Sequence, residues 1–161
     1  MKILLFSGAL VATAMSLPAF AQAMSASEYV TAAGAGDLYE RQSSEIVLAS
    51  TKNPELRSFA AMMIKHHTKS AADVKAAAMK AKVKPKPAQL TPAQSEMIAQ
   101  LRVEKDAARD AAYIAQQKAA HGQALTVHKA YAEGGMSPPL KATAAAIVPV
   151  IKMHIATLMK M

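Results

Sequence analysis

Four side chains carry the chemistry worth asking about first: Glu40, His67, His121 and His154. Each falls on an apolar stripe of a segment with helical spacing, and a group on such a stripe points into a core rather than to water. After Asn53-Pro54, the residues Leu56, Phe59 (or Ala60), Met63, His67 and Val74 follow the three, four, seven pattern of one helix face, so His67 is expected inside. His66 lies about 100° further round the axis and belongs at the rim. Leu140, Ile147, His154 and Met161 are seven apart, with Ile151 and Leu158 flanking His154, which is therefore expected to be buried. Ile114, Gln117, His121, Leu125 and His128 share one stripe, and both of its histidines face inward. Ala33, Glu40 and Val47, also seven apart, place Glu40 inside, although Leu38 and Ile46 define a rival stripe.

Depth along the helices agrees with direction around them. Glu40 precedes Asn53 by about as many residues as His67 follows it, and His121 and His154 stand at comparable distances on either side of Met136. The mismatch in the second pair is about three residues, or about 4.5 Å of helical rise. One carboxylate and three imidazoles, each from a different helix, are thus expected to share a layer near mid-bundle. Such a donor set suits a mononuclear transition metal, Zn²⁺, Cu²⁺ or Fe²⁺, and three or four donors suffice to hold one. The alternative is a metal-free layer of mutually hydrogen-bonded polar groups, because a histidine on an apolar face is more often satisfied by a neighbouring side chain or carbonyl.

The elements that must position these residues are all helical. No β-branched run of period two is present, and Gly and Pro fall at a few punctuation points. Ser27-Glu28 can cap a first helix to about Thr51, and Asn53-Pro54 opens a second to about Lys82. Lys84-Pro85-Lys86-Pro87 reads as an extended linker, and Thr91-Pro92-Ala93-Gln94 as the capping start of a short helix to about Glu104. A longer helix from about Asp106 to Glu133 stops at Gly134-Gly135, and Ser137-Pro138 starts the last, to about Lys160, with Pro149 as a bend. Short turns near Asn53 and Met136 make two antiparallel hairpins. The expected fold is an all-α four-helix bundle with one longer connection that carries the short extra helix.

The N-terminus reads as a secretory leader over residues 1–23. Lys2, the apolar run Ile3 to Leu17 and the segment Pro18 to Ala23 give the charged, apolar and small-residue order of a cleavable signal, with cleavage after Ala21 or Ala23. One domain, residues 24–161, follows, and no later segment reaches membrane-spanning length without charges. Removing Lys2 leaves 18 − 11 = +7 from the 19 basic and 11 acidic residues of the whole chain. The lysines are scattered and lack the Arg and aromatic interleaving that reads nucleic acid, so no nucleic-acid partner is expected. Loose contact with anionic lipid or envelope polysaccharide fits the charge better. Absence of cysteine excludes disulfides, thiolate metal sites and a Cys nucleophile. No nucleophile elbow, phosphate-cradling loop or paired catalytic carboxylates occur, so no enzymatic activity is assigned. Asp106, Asp110 and Tyr113 read as a polar helix start, and Met62, Met63, Met79, Met97, Met136, Met153, Met159 and Met161 as core filler rather than a Cu(I) site.

Several segments together resemble a known family. They are Tyr29-Val30, Gly36-Asp37-Leu38-Tyr39-Glu40, Asn53 to Ala60, Met63-Ile64-Lys65-His66-His67-Thr68, Asp110 to Tyr113, His121 and Pro149 to His154. In these the chain is similar to the bacterial domain-of-unknown-function family DUF4142, often labelled predicted outer-membrane proteins. The resemblance implies an exported, ferritin-like helical bundle without an established activity, in the periplasm or at the outer membrane. His67 matches the family's recurrent histidine, while His66 stands where the family usually has Asp. Di-iron ferritins use Glu-x-x-His on two helices, but Ile64 and Ile151 stand three residues before His67 and His154. A mononuclear or binding-only site therefore fits better than di-iron chemistry.

Overall fold

The computed structural model describes residues 24–161, so the expected leader lies outside the described residues. Among the described residues five helices form: α1 (Ala26–Leu48), α2 (Pro54–Lys80), α3 (Pro92–Val103), α4 (Asp106–Gly134) and α5 (Pro138–Leu158). Local chemistry explains their starts. Ser25, not Ser27, caps α1, because only Ser25 stands three residues before Glu28 and can exchange side-chain and backbone bonds with it. Asn53 accepts from the Glu55 and Leu56 amides with Pro54 in the first turn, and Thr91 with Gln94 forms a second capping box.

Helix α1 ends at Leu48 rather than near Thr51, because side chains close the turn earlier. Arg57 donates to the carbonyls of Leu48 and Thr51, and the Thr51 hydroxyl donates to Asp110 while accepting from the Asn53 amide. Asp110, read from sequence as part of a polar helix start, thus ties α4 to the first hairpin. Helix α5 continues through Pro149 to Leu158.

α1 pairs with α2 and α4 pairs with α5, and the ring closes through α1 with α4 and α2 with α5. Tyr29 meets His128 near the start of α1, whereas Ser44 meets Tyr113 near its end, so α1 and α4 run antiparallel. α3 returns the chain along the bundle and ties on through Gln116, which donates to Met97 O and Gln100 Oε1 and accepts from Tyr39. The described chain is therefore all-α, four long helices with one short helix on the connection.

The apolar core is in two parts. Tyr29, Val30, Ala33, Val74, Ala77, Ala78, Tyr131, Leu140 and Ala144 fill one end. Val47, Leu56, Phe59, Met63, Leu101, Tyr113 and Leu158 fill the other. Between them α1, α2, α4 and α5 contribute Asp37, Glu40, Ser43, His67, Gln117, His121 and His154, all buried. Met63 packs in the core as expected, but Met79, Met136, Met153 and Met159 are exposed, because they lie off the inward faces or at helix ends. α5 is also long and apolar enough by composition to cross a membrane, yet its inward side, Leu140, Ala144, Ile151, His154 and Leu158, is built into the core.

The turn between α4 and α5 depends on a close approach. A Cβ on Gly135 would stand 2.5 Å from Tyr131 O and 2.7 Å from its ring, and that ring is stacked on Tyr29 with centroids 4.0 Å apart. Gly135→Ala is therefore expected to destabilise by about 1–3 kcal/mol, as overpacking does. A denaturant midpoint equal to wild type would show that the turn yields without cost.

Candidate metal centre

The polar layer is organised around three imidazoles. His67 is 8% exposed, His121 and His154 1% each, and one ring nitrogen of each lies within 4.8 Å of the other two. The outer nitrogens are engaged by neighbours. His67 Nδ1 donates to Asp37 Oδ1 at 2.8 Å, and His121 Nδ1 donates to the Gln117 carbonyl at 2.9 Å. His154 Nε2 faces His66 Nδ1 at 2.9 Å, with the two rings stacked. The nitrogens left over are His67 Nε2, His121 Nε2 and His154 Nδ1.

Those partners set the tautomers. His121 Nδ1 faces only acceptors, the Gln117 carbonyl and Glu40 Oε1, so it carries the proton and leaves a lone pair on Nε2. Asp37 does the same for His67. His121 Nε2 and His154 Nδ1 are 3.2 Å apart, close to the about 3.3 Å between two imidazole nitrogens that share a tetrahedral ion at 2.0–2.1 Å. Among the described residues His67 Nε2 is buried without a hydrogen-bond partner, and so are Asp37 Oδ2 and Glu40 Oε2. Each such orphan costs about 1–3 kcal/mol.

Electrostatics run the same way. Burial pushes the His121 pKa down to about 4, and burial with the neighbouring histidines pushes His154 down to about 3, so both are neutral lone-pair donors near pH 7. Burial by itself would lower His67, but the Asp37 bond and the Glu40 carboxylate outweigh it and raise the pKa. Burial pushes the Glu40 carboxyl up to about 7, with His67 opposing. A dication would find two neutral donors and a third, His67, whose raised pKa favours an Nε2 proton that the ion would have to displace, with buried acidic groups to balance its charge.

Of the four residues expected to converge, the structure gathers His67, His121 and His154 and sets Glu40 to one side. Glu40 is inward, but its Oε1 lies 3.5 Å from His121 Nδ1, the nitrogen turned away from His154. The acidic group bonded to an imidazole is Asp37, one turn earlier on the same face. Its signal was present as an acid three residues before Glu40, but a seven-residue stripe selects one position in two turns. His66 is half-buried at the rim as expected, though its contact with His154 is not something spacing shows. His128 is inward as expected and serves elsewhere, its Nδ1 3.0 Å from the Tyr29 hydroxyl.

A profile of the domain-of-unknown-function family DUF4142 matches residues 12–161 of the sequence. The chain belongs to this family. No curated protein and no solved structure matches it. In this DUF4142 member the histidine layer therefore has to be read from its own geometry.

His128, outside the three-imidazole cluster, offers a separate pH test. Burial holds its pKa down at about 4, against about 6.5 unfolded, so the unfolded chain takes the proton first as pH falls. The stability it provides is complete above pH 6.5 and is lost on the way down to about pH 4, a loss of about 3 kcal/mol. His128→Gln should therefore lose less stability than wild type between pH 6.5 and 4 in denaturation curves. Parallel pH profiles would contradict a neutral buried imidazole at this position.

Proposed function

We propose that this protein binds a single divalent transition ion, Zn²⁺, Cu²⁺ or Fe²⁺, through His67, His121 and His154, as an exported metal-handling protein. One observation carries the reading. Each imidazole has its outer nitrogen held by a neighbour, while three inner nitrogens point together and one of them, His67 Nε2, is buried without a partner. Outer-partner fixation of this kind is how metal-binding histidines are oriented. A bound ion would take the His154 Nδ1 lone pair, the ring's proton being carried instead on Nε2 and donated to His66 Nδ1, whose own proton would then sit on its other nitrogen. Asp37 and Glu40 would compensate charge, Glu40 from beside the outer nitrogen of His121.

The leader-like N-terminus and basic balance support a place in the periplasm or at the outer membrane. The test is metal analysis and calorimetric titration of protein purified without an affinity tag, with each of the three ions. One equivalent bound per chain is expected. Absence of binding to all three would end the proposal.

A second reading has its own support. His66, His154, His121 and the Gln117 carbonyl form an unbroken hydrogen-bonded chain without any ion. In that case the layer is structural and the protein acts through its envelope-facing surface.

A further inference from the structure

His154 differs from the other two imidazoles of the layer in having a histidine against each of its nitrogens. Nδ1 faces buried His121 at 3.2 Å, and Nε2 faces His66 at 2.9 Å. The outer nitrogens of His67 and His121 end instead on buried groups, the Asp37 carboxylate and a helix carbonyl. His66 is the only member of this set that reaches the surface, being half-buried where the other three are buried. Its ring lies nearly parallel to that of His154, 15° between planes and 5.2 Å between centroids.

We propose that His66 Nδ1 and His154 Nε2 form a second, solvent-side metal position, through which a divalent transition ion enters and leaves the buried position. This rests on the buried site proposed above. Two imidazole nitrogens sharing an ion stand about 3.3 Å apart, so the pair needs to open by only about 0.4 Å from its hydrogen-bonded spacing. At the outer position His154 keeps its Nδ1 proton, donated to His121, while His66 gives up its Nδ1 proton and takes one on its other nitrogen, so that both facing nitrogens offer lone pairs. On transfer the ion leaves Nε2 for Nδ1, and the displaced proton is taken up at the Nε2 the ion has vacated. Atoms and charge balance over the two rings.

The other approach is blocked. A groove of about 490 Å³ lined by Glu55, Ser58, Phe59, Met62, Thr157 and Met161 lies on the far side of Phe59, whose ring stands between it and His154, edge-on at 6.4 Å. An ion held by the oxygen donors of that groove meets the Phe59 ring, which offers no lone pair, before it meets an imidazole. The His66 route offers an imidazole at each step.

Co²⁺, whose visible absorption reports its coordination, is the probe. Uptake by the purified full chain and release to a chelator are followed by stopped flow for wild type, His66→Ala and His66→Gln, with circular dichroism to verify folding. His66→Ala is expected to slow uptake by about tenfold or more, so that the affinity it loses with the outer partner of His154, about 10–100-fold, shows mainly as slower uptake and not as faster release. Low concentrations of free imidazole are expected to restore part of the uptake rate. Unchanged rates in both variants would overturn the proposal. So would faster release with unaltered uptake, which would make His66 a partner that only orients His154. If wild type itself takes up no Co²⁺, Zn²⁺ or Cu²⁺ at equilibrium, the buried site fails first, an outcome distinct from binding with unaltered kinetics.

Discussion

Zn²⁺ at a free concentration a hundredfold above its dissociation constant should raise the melting temperature by about 9 °C, and His154→Leu should abolish that rise. The magnitude follows from linkage: such an excess stabilises the folded state by about 2.7 kcal/mol. With an unfolding entropy of about 2.1 cal/mol/K per residue over the described chain, this converts to about 9 °C. His154 is 1% exposed between Ile151 and Leu158 on α5, so leucine fills a similar space without adding a polar group. The variant still leaves His121 Nε2 without its neighbour, and metal-free stability is expected to fall as well. The two readings part at the added ion. A metal site predicts a wild-type melt that moves with Zn²⁺ and a variant melt that does not. A structural polar layer predicts that neither moves, in scanning calorimetry with and without chelator.

Asp37→Ala should cost the metal-free protein about 3–5 kcal/mol, since it removes one partner of a buried pair and leaves the other uncompensated. Asp37 is 4% exposed, its Oδ1 is 2.8 Å from His67 Nδ1, and that bond helps hold the His67 pKa above its ordinary value. The same substitution releases the tautomer of His67, and loss of such an outer partner typically weakens metal binding by about 10–100-fold. Asp37→Asn keeps the shape and an acceptor oxygen, so it should lose less stability than alanine. Denaturant curves together with metal titrations check both parts. A stability loss under about 1 kcal/mol for the alanine variant would show that water replaces the carboxylate at little cost, contrary to the burial of the pair.

Both results depend on a layer that the chain advertises only in part. The seven-residue spacings through Glu40, His67, His121 and His154 identified which faces turn inward, because a helix converts sequence position into direction at a fixed angle per residue. The turns at Asn53-Pro54 and Gly134-Gly135 then set the four groups near one depth. The same arithmetic placed His128 inside, where it meets Tyr29 in the neighbouring apolar half rather than the histidine layer.

By itself, then, the sequence determined an all-helical chain, its punctuation, and a set of inward imidazoles, since caps, prolines and apolar periodicity are local properties of the chain. Only the tertiary structure decided that three histidines converge while Glu40 stands beside the outer nitrogen of His121. It alone placed Asp37 against His67 and His66 against His154. The reason is that periodicity fixes the direction of a side chain from its own axis. Which nitrogen meets which partner depends on the rotation, offset and separation of neighbouring helices, set by the packing of the whole core.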